Sequence, residues 1–179
     1  MYKHDEPRRK RCSMRSTYAS NYNREKALAY ASKWALKRNP AFGNFNGIGG
    51  DCTNFISQCI YAGCGIMNYT KDLGWYYSSM YNRAPAWTGV DFLFRFLTTN
   101  KKTGPFASKV GITDLVPGDI VQLGDASNRF YHSLFVLSTG NFTYNEVFIA
   151  THSIDVYNKP LAAYDFYQAR FLHIEGARG

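Results

Sequence analysis

Gly49-Gly50-Asp51-Cys52-Thr53-Asn54-Phe55-Ile56-Ser57-Gln58-Cys59 sets two glycines and an acid directly ahead of a cysteine that opens an apolar stretch. Phe55, Ile56, Cys59 and Ile60 recur at three- and four-residue spacing, which predicts an amphipathic helix over residues 52–62 with Gly63 as its C′ residue. A thiol at a helix N-terminus feels the partial positive charge of the unpaired backbone N–H groups. That field favours the thiolate, the nucleophilic form. Cys52 lies on the inward side of the helix, so plain burial is the competing reading. A cysteine needed only for packing gains nothing from the first turn behind two glycines. No Lys-Ser or Lys-Thr follows the glycines, so this is no phosphate loop; Gly47, Gly49 and Gly50 read as clearance around the thiol.

Working outward, residues 23–38 form a predicted helix. Asn23 is its N-cap, and Ala27, Tyr30, Ala31, Trp34 and Ala35 make one apolar stripe. Asn39-Pro40 ends it. Residues 68–89 are aromatic and irregular, with Trp75, Tyr76, Tyr77, Tyr81 and Trp87. They read equally as one wall of a substrate groove or as a loop pinned by its own rings. Thr88 is the expected cap of a third helix through Val90, Phe92, Leu93, Phe96 and Leu97. Strands are expected at 120–123, 130–138, 146–152 and 169–174, and a loop at 158–161. Helices first and strands later imply an α+β fold, an antiparallel sheet with helices packed on one face.

The totals narrow the class. The 179 residues suit one domain, with 45% hydrophobic and 17% aromatic residues, enough for a core and against disorder. Residues 1–20 are polar and basic, including Arg8, Arg9, Lys10 and Arg11, and read as an arm or linker before a single domain over 21–179. The net charge of +8 favours anionic partners such as wall polymers; no nucleic-acid motif is visible. Cys12, Cys52, Cys59 and Cys64 fit neither a zinc knuckle nor a dense disulfide scaffold. Cys59, two turns after Cys52, and Cys64 read as structural thiols. No stretch is apolar enough to cross a membrane, and the charged N-terminus lacks a signal-peptide apolar core. The compartment stays open: cytoplasmic, or a module of a secreted or phage protein.

Two histidines follow the cysteine in strand-like runs, His132 and His152. His132, at a strand start, is the candidate base that takes the Cys52 proton and returns it to the leaving amine. His152 is the candidate third group that orients it, with Asp155 and Asn158 as rivals; strand register decides among them. The oxyanion would rest on the Cys52 backbone N–H plus one more donor, Asn46 or a tyrosine.

GGDCTNFISQCIYAGC, the WYY at 75–77, VPGDIVQL at 116–123, HSLFVL at 132–137 and ATHSIDVYNKPL at 150–161 together resemble the amidase domain family of Firmicutes and their phages. That family is similar to the NlpC/P60 and CHAP group of papain-like cysteine peptidases. The resemblance covers roughly residues 22–173. It implies a papain-like fold with the nucleophile on a helix against a five- or six-stranded sheet. It also implies amide-bond hydrolysis, often in cell-wall (peptidoglycan) peptides, with Cys52 as nucleophile, His132 as base and His152 as third group. It implies no metal and no cofactor. A catalytically silent wall-binding module and an acyl transferase using the same cysteine are the alternatives.

Overall fold

Helix α1 (Arg24–Trp34) opens the part of the chain that the computed structural model describes, residues 21–179; the predicted basic arm and Cys12 lie outside it. The Asn23 side chain accepts from the Lys26 N–H at 2.9 Å, as a cap should. The helix is shorter than the predicted span. Residues beyond its Ala35 C-cap leave it and carry Arg38 to Asp51 and Asp155.

Helix α2 (Cys52–Cys64) runs through the centre of the molecule. Every residue from 51 to 60 is buried, polar ones included. An amphipathic pattern here sits in a helix covered on all sides. The left-handed C-cap is Gly65, φ 67°, and not Gly63. Gly63 is needed for space: an added Cβ would run into the Tyr22 ring.

A two-stranded ribbon follows, β1 (Tyr77–Ser79) and β2 (Asn82–Arg83). A short helix α3 (Pro85–Thr88) begins on proline, and α4 (Val90–Thr99) is capped by Gly89 where Thr88 was expected. Thr88 ends α3 instead. Trp75 and Trp87 are fully buried, their rings tilted against each other with centroids 4.8 Å apart. Their indole N–H groups bond Ser57 Oγ and Asn54 Oδ1 of α2. The two tryptophans pin this segment to α2, while Tyr69, Leu73 and Tyr81 face solvent.

The sheet has six antiparallel strands: β3 (Gly104–Val110), β4 (Ile120–Gly124), β5 (Phe130–Thr139), β6 (Val147–Thr151), β7 (Val156–Pro160) and β8 (Gln168–Arg178). Their order is β3-β8-β4-β5-β6-β7. Two strands escaped the sequence pattern. β3 is an edge strand that starts Gly-Pro, tolerable only because an edge leaves its N–H side free. β7 occupies a stretch whose residues predict a loop at 158–161. Ile149 pairs Lys159 and Ala150 pairs Tyr157, so Asn158, at φ 61°, is the extra residue of a bulge.

One sheet face, with Ile120, Phe135, Ala150 and Leu172, packs on Phe55, Ile56 and Ile60 of α2 and on Leu93 and Leu97 of α4. The other face carries Val121, Leu123, Leu134, Val136 and Ile149, covered by Leu115 and Leu161 from the loops. The α+β architecture is therefore as the residue order predicts, with helices N-terminal and the antiparallel sheet C-terminal.

Candidate active site

Cys52 is the first residue of α2, and only 6% of it is exposed. As a first helical residue its N–H has no intrahelical acceptor. The sulfur faces β5. Burial pushes its thiol up. The Ser133 backbone N–H, the Thr53 hydroxyl and the Thr53 backbone N–H act the other way, and the Asp51 carboxylate adds to the rise. The net direction is upward, opposite to the lowered thiol expected from the sequence. Thr53 Oγ1 lies 3.8 Å from Cys52 Sγ and 3.0 Å from Ser133 Oγ.

Asp51 organises the site. It is fully buried. Its Oδ1 accepts from the Phe45 N–H at 3.0 Å and from Asn54 Nδ2 at 2.7 Å. Its Oδ2 faces His152 Nδ1 at 2.7 Å and Arg38 Nε at 2.8 Å. The Arg38 Nε–H is not aligned on an acceptor among the described residues, so that contact is charge attraction. Arg38 also binds Asp155 through two bonds of 2.8 Å, which hold the Asp155 carboxyl below its ordinary range. The Asp51 N–H donates to Ser153 Oγ at 3.0 Å. An added Cβ at Gly50, φ 97°, would press on that same oxygen, so the glycine lets the two loops meet.

His152 is 1% exposed and stacks on Phe55, 4.1 Å between ring centroids. Its second nitrogen, Nε2, meets the Trp34 carbonyl at 2.9 Å. Both ring nitrogens thus face acceptors, a carboxylate and a carbonyl. His152 is thereby clamped between α1 and the head of α2.

His132 stands elsewhere. It pairs with Leu123 in register and shares the face of Leu134 and Val136, away from the helices. Its ring meets Tyr164 at 5.8 Å. Burial alone holds its pKa down to about 4, and among the described residues its nitrogens take no hydrogen bond. The structure brings His152 and Asp51 to the head of α2 beside Cys52 and leaves the expected base, His132, on the opposite side of the sheet. The reason is strand parity: Ser133, one residue on, faces Thr53, so His132 must face away. Asp155 enters through Arg38. Asn158 is taken up by the β7 bulge, and Asn46 is exposed in its loop.

Sequence reasoning missed Asp51, Arg38 and Ser133 as members of this cluster. Asp51 was visible as the acid beside the cysteine; nothing in the sequence marked the other two. Among the described residues no group of three or more His, Cys, Asp or Glu could hold a metal, and no helix is long and apolar enough to cross a membrane.

Residues 21–174 match the family described as putative amidase domain. The chain belongs to this family. It is 35% identical over 124 residues to the uncharacterized protein YhbB of Bacillus subtilis (strain 168). The match takes in 67% of this chain and 38% of that protein's length, so the chain spans well under half of the curated relative. No solved structure matches it.

Proposed function

We propose that the domain is a cysteine-dependent, papain-like amidase that hydrolyses amide bonds in cell-wall peptides, with Cys52 as nucleophile. The observation that carries this is Cys52 at the first residue of α2 with the Thr53 hydroxyl 3.8 Å from its sulfur. A helix N-terminus and a hydroxyl beside the sulfur both stabilise negative charge there.

In this reading the Cys52 thiol passes its proton to His152 Nε2, and the resulting thiolate attacks the substrate carbonyl carbon. The new oxyanion takes the Cys52 backbone N–H, which as the head of a helix has no partner inside it. The carbon–nitrogen bond breaks, and His152 Nε2, released from the Trp34 carbonyl, hands its proton to the leaving amine. Water then hydrolyses the thioester, with the now neutral His152 taking the water's proton and Asp51 Oδ2 holding Nδ1 throughout. His132, expected as the base, has no part in these steps. The amide substrate is supported by the family match, and the +8 charge suits anionic wall polymers.

One observation favours a second reading, a catalytically silent wall-binding module: the Cys52 thiol is buried and both histidines are engaged away from it. Iodoacetamide labelling near neutral pH, read residue by residue by mass spectrometry, separates the two. A Cys52 that reacts far faster than Cys12, Cys59 and Cys64, together with wall-peptide hydrolysis that vanishes in Cys52→Ala, supports the amidase. Hydrolysis that survives Cys52→Ala sinks the mechanism. An inert Cys52 with no hydrolysis leaves the binding module.

A further inference from the structure

We propose that Arg170, Gln122, Ser133 and Thr53 form a one-directional chain of donors ending on the Cys52 sulfur, and that this chain makes Thr53 the positioning residue that holds the thiolate. The proposal rests on the reading of Cys52 as nucleophile.

Gln122 pairs in register with Ser133 on one side and with Arg170 on the other, so the three form a polar row across β5, β4 and β8. Such a row in the middle of a buried sheet face is costly unless every member is satisfied. Here each is. Arg170 Nε donates to Gln122 Oε1 at 2.7 Å, and Arg170 Nη2 donates to Asp91 at 2.7 Å. The guanidinium carbon lies 3.8 Å from the ring centroids of both Phe94 and Phe130.

The directions follow from what each group can do. A guanidinium only donates, so the Gln122 carbonyl oxygen must face it. The amide nitrogen of Gln122 therefore points the other way, donating to Val90 O at 3.0 Å and to Ser133 Oγ at 3.1 Å. In the proposed chain Ser133 Oγ, accepting from Gln122, gives its proton to Thr53 Oγ1 at 3.0 Å. Thr53 Oγ1 in turn gives its proton to Cys52 Sγ at 3.8 Å. A fixed cation thus sets the orientation of two rotatable hydroxyls, and the last of them donates to sulfur. A donor to sulfur favours the thiolate. The other charged groups facing the thiol are Asp51 and, through it, His152 and Arg38. They are unchanged in the variants below.

The test is the pH midpoint of Cys52 alkylation by iodoacetamide, read at that residue by mass spectrometry in the folded chain. Thr53→Val, which keeps the shape and loses the donor, should raise the midpoint by about one pH unit and slow alkylation at neutral pH about tenfold. Thr53→Ser should keep the parent midpoint. Ser133→Ala should raise the midpoint in the parent but leave it unmoved in the Thr53→Val background, because the serine acts only through the threonine. A parent-like midpoint in Thr53→Val overturns the proposal, as does a Ser133→Ala shift of equal size in both backgrounds. Should Thr53→Val not fold, Ser133→Ala alone decides, and an unmoved midpoint overturns it. The readout needs no turnover. Unmoved midpoints with hydrolysis lost in Cys52→Ala sink the chain and keep the amidase; moved midpoints without any hydrolysis do the reverse.

Discussion

His152 Nδ1 sits 2.7 Å from Asp51 Oδ2, joining the end of the strand that precedes it to the residue that opens α2, 101 positions away in sequence. The pair fixes the head of the nucleophile helix against the sheet, and five groups depend on its carboxylate: the Phe45 N–H, Asn54, His152, Arg38 and, through Arg38, Asp155.

Asp51→Asn should therefore be destabilising. It removes the charge facing His152 and Arg38 while leaving both in place, and stranding a buried partner costs about 3 kcal/mol or more. Urea unfolding followed by circular dichroism measures it; a midpoint equal to the parent's would show the cluster contributes nothing.

The same pair ranks two activity losses. His152→Ala removes a buried ring held at both nitrogens, whereas Asp155→Ala removes a half-exposed partner of Arg38. Hydrolysis rates should fall further in His152→Ala. The reverse order would remove His152 from the mechanism.

His132 governs a different property. The unfolded imidazole takes up a proton around pH 6.5, and the folded one resists until about pH 4 because it is buried. Between those values the unfolded chain binds more protons, so this group's contribution to stability is present above pH 6.5 and is lost as pH falls toward 4. The full difference is about 3 kcal/mol. His132→Gln should flatten the stability profile between pH 4 and 6.5 and leave Cys52 alkylation at neutral pH unchanged. Alkylation that collapses in this variant would return His132 to the active site.

Gly63→Ala tests the packing of α1 on α2. The added methyl meets the Tyr22 ring, whose hydroxyl donates to the Gly118 carbonyl at 2.9 Å. Overpacking of this kind costs about 1–3 kcal/mol; a thermal melt at the parent's temperature would mean that the ring moves freely.

Attachment to anionic wall material should weaken steeply between low and high salt, since the +8 charge acts through a screening length of about 10 Å at 0.1 M. Sedimentation of the full chain with purified wall fragments reads this. Binding that is indifferent to salt removes the electrostatic part of the proposal.

The residues by themselves determined the local and one-dimensional features. The Asn23 cap, the helix that begins at Cys52, the pairing-competent runs around Val121, Phe135 and Ile149, and the order of helices before strands all follow from periodicity, capping chemistry and turn residues within a few positions of each other. The family, too, was legible from its motifs. What only the tertiary structure decided is which side of the sheet each side chain takes and what stands opposite it. Strand parity sends Ser133 toward Cys52 and His132 away, and a period of two leaves no compromise. Asp51 and His152 meet across 101 residues because helix and strand pack there, and the Asn158 bulge hides a strand inside loop-like sequence. Sequence distance carries no information on such contacts. Burial, which turned the expected low-pKa thiol into a raised one, is likewise a property of the assembled core and of no single segment.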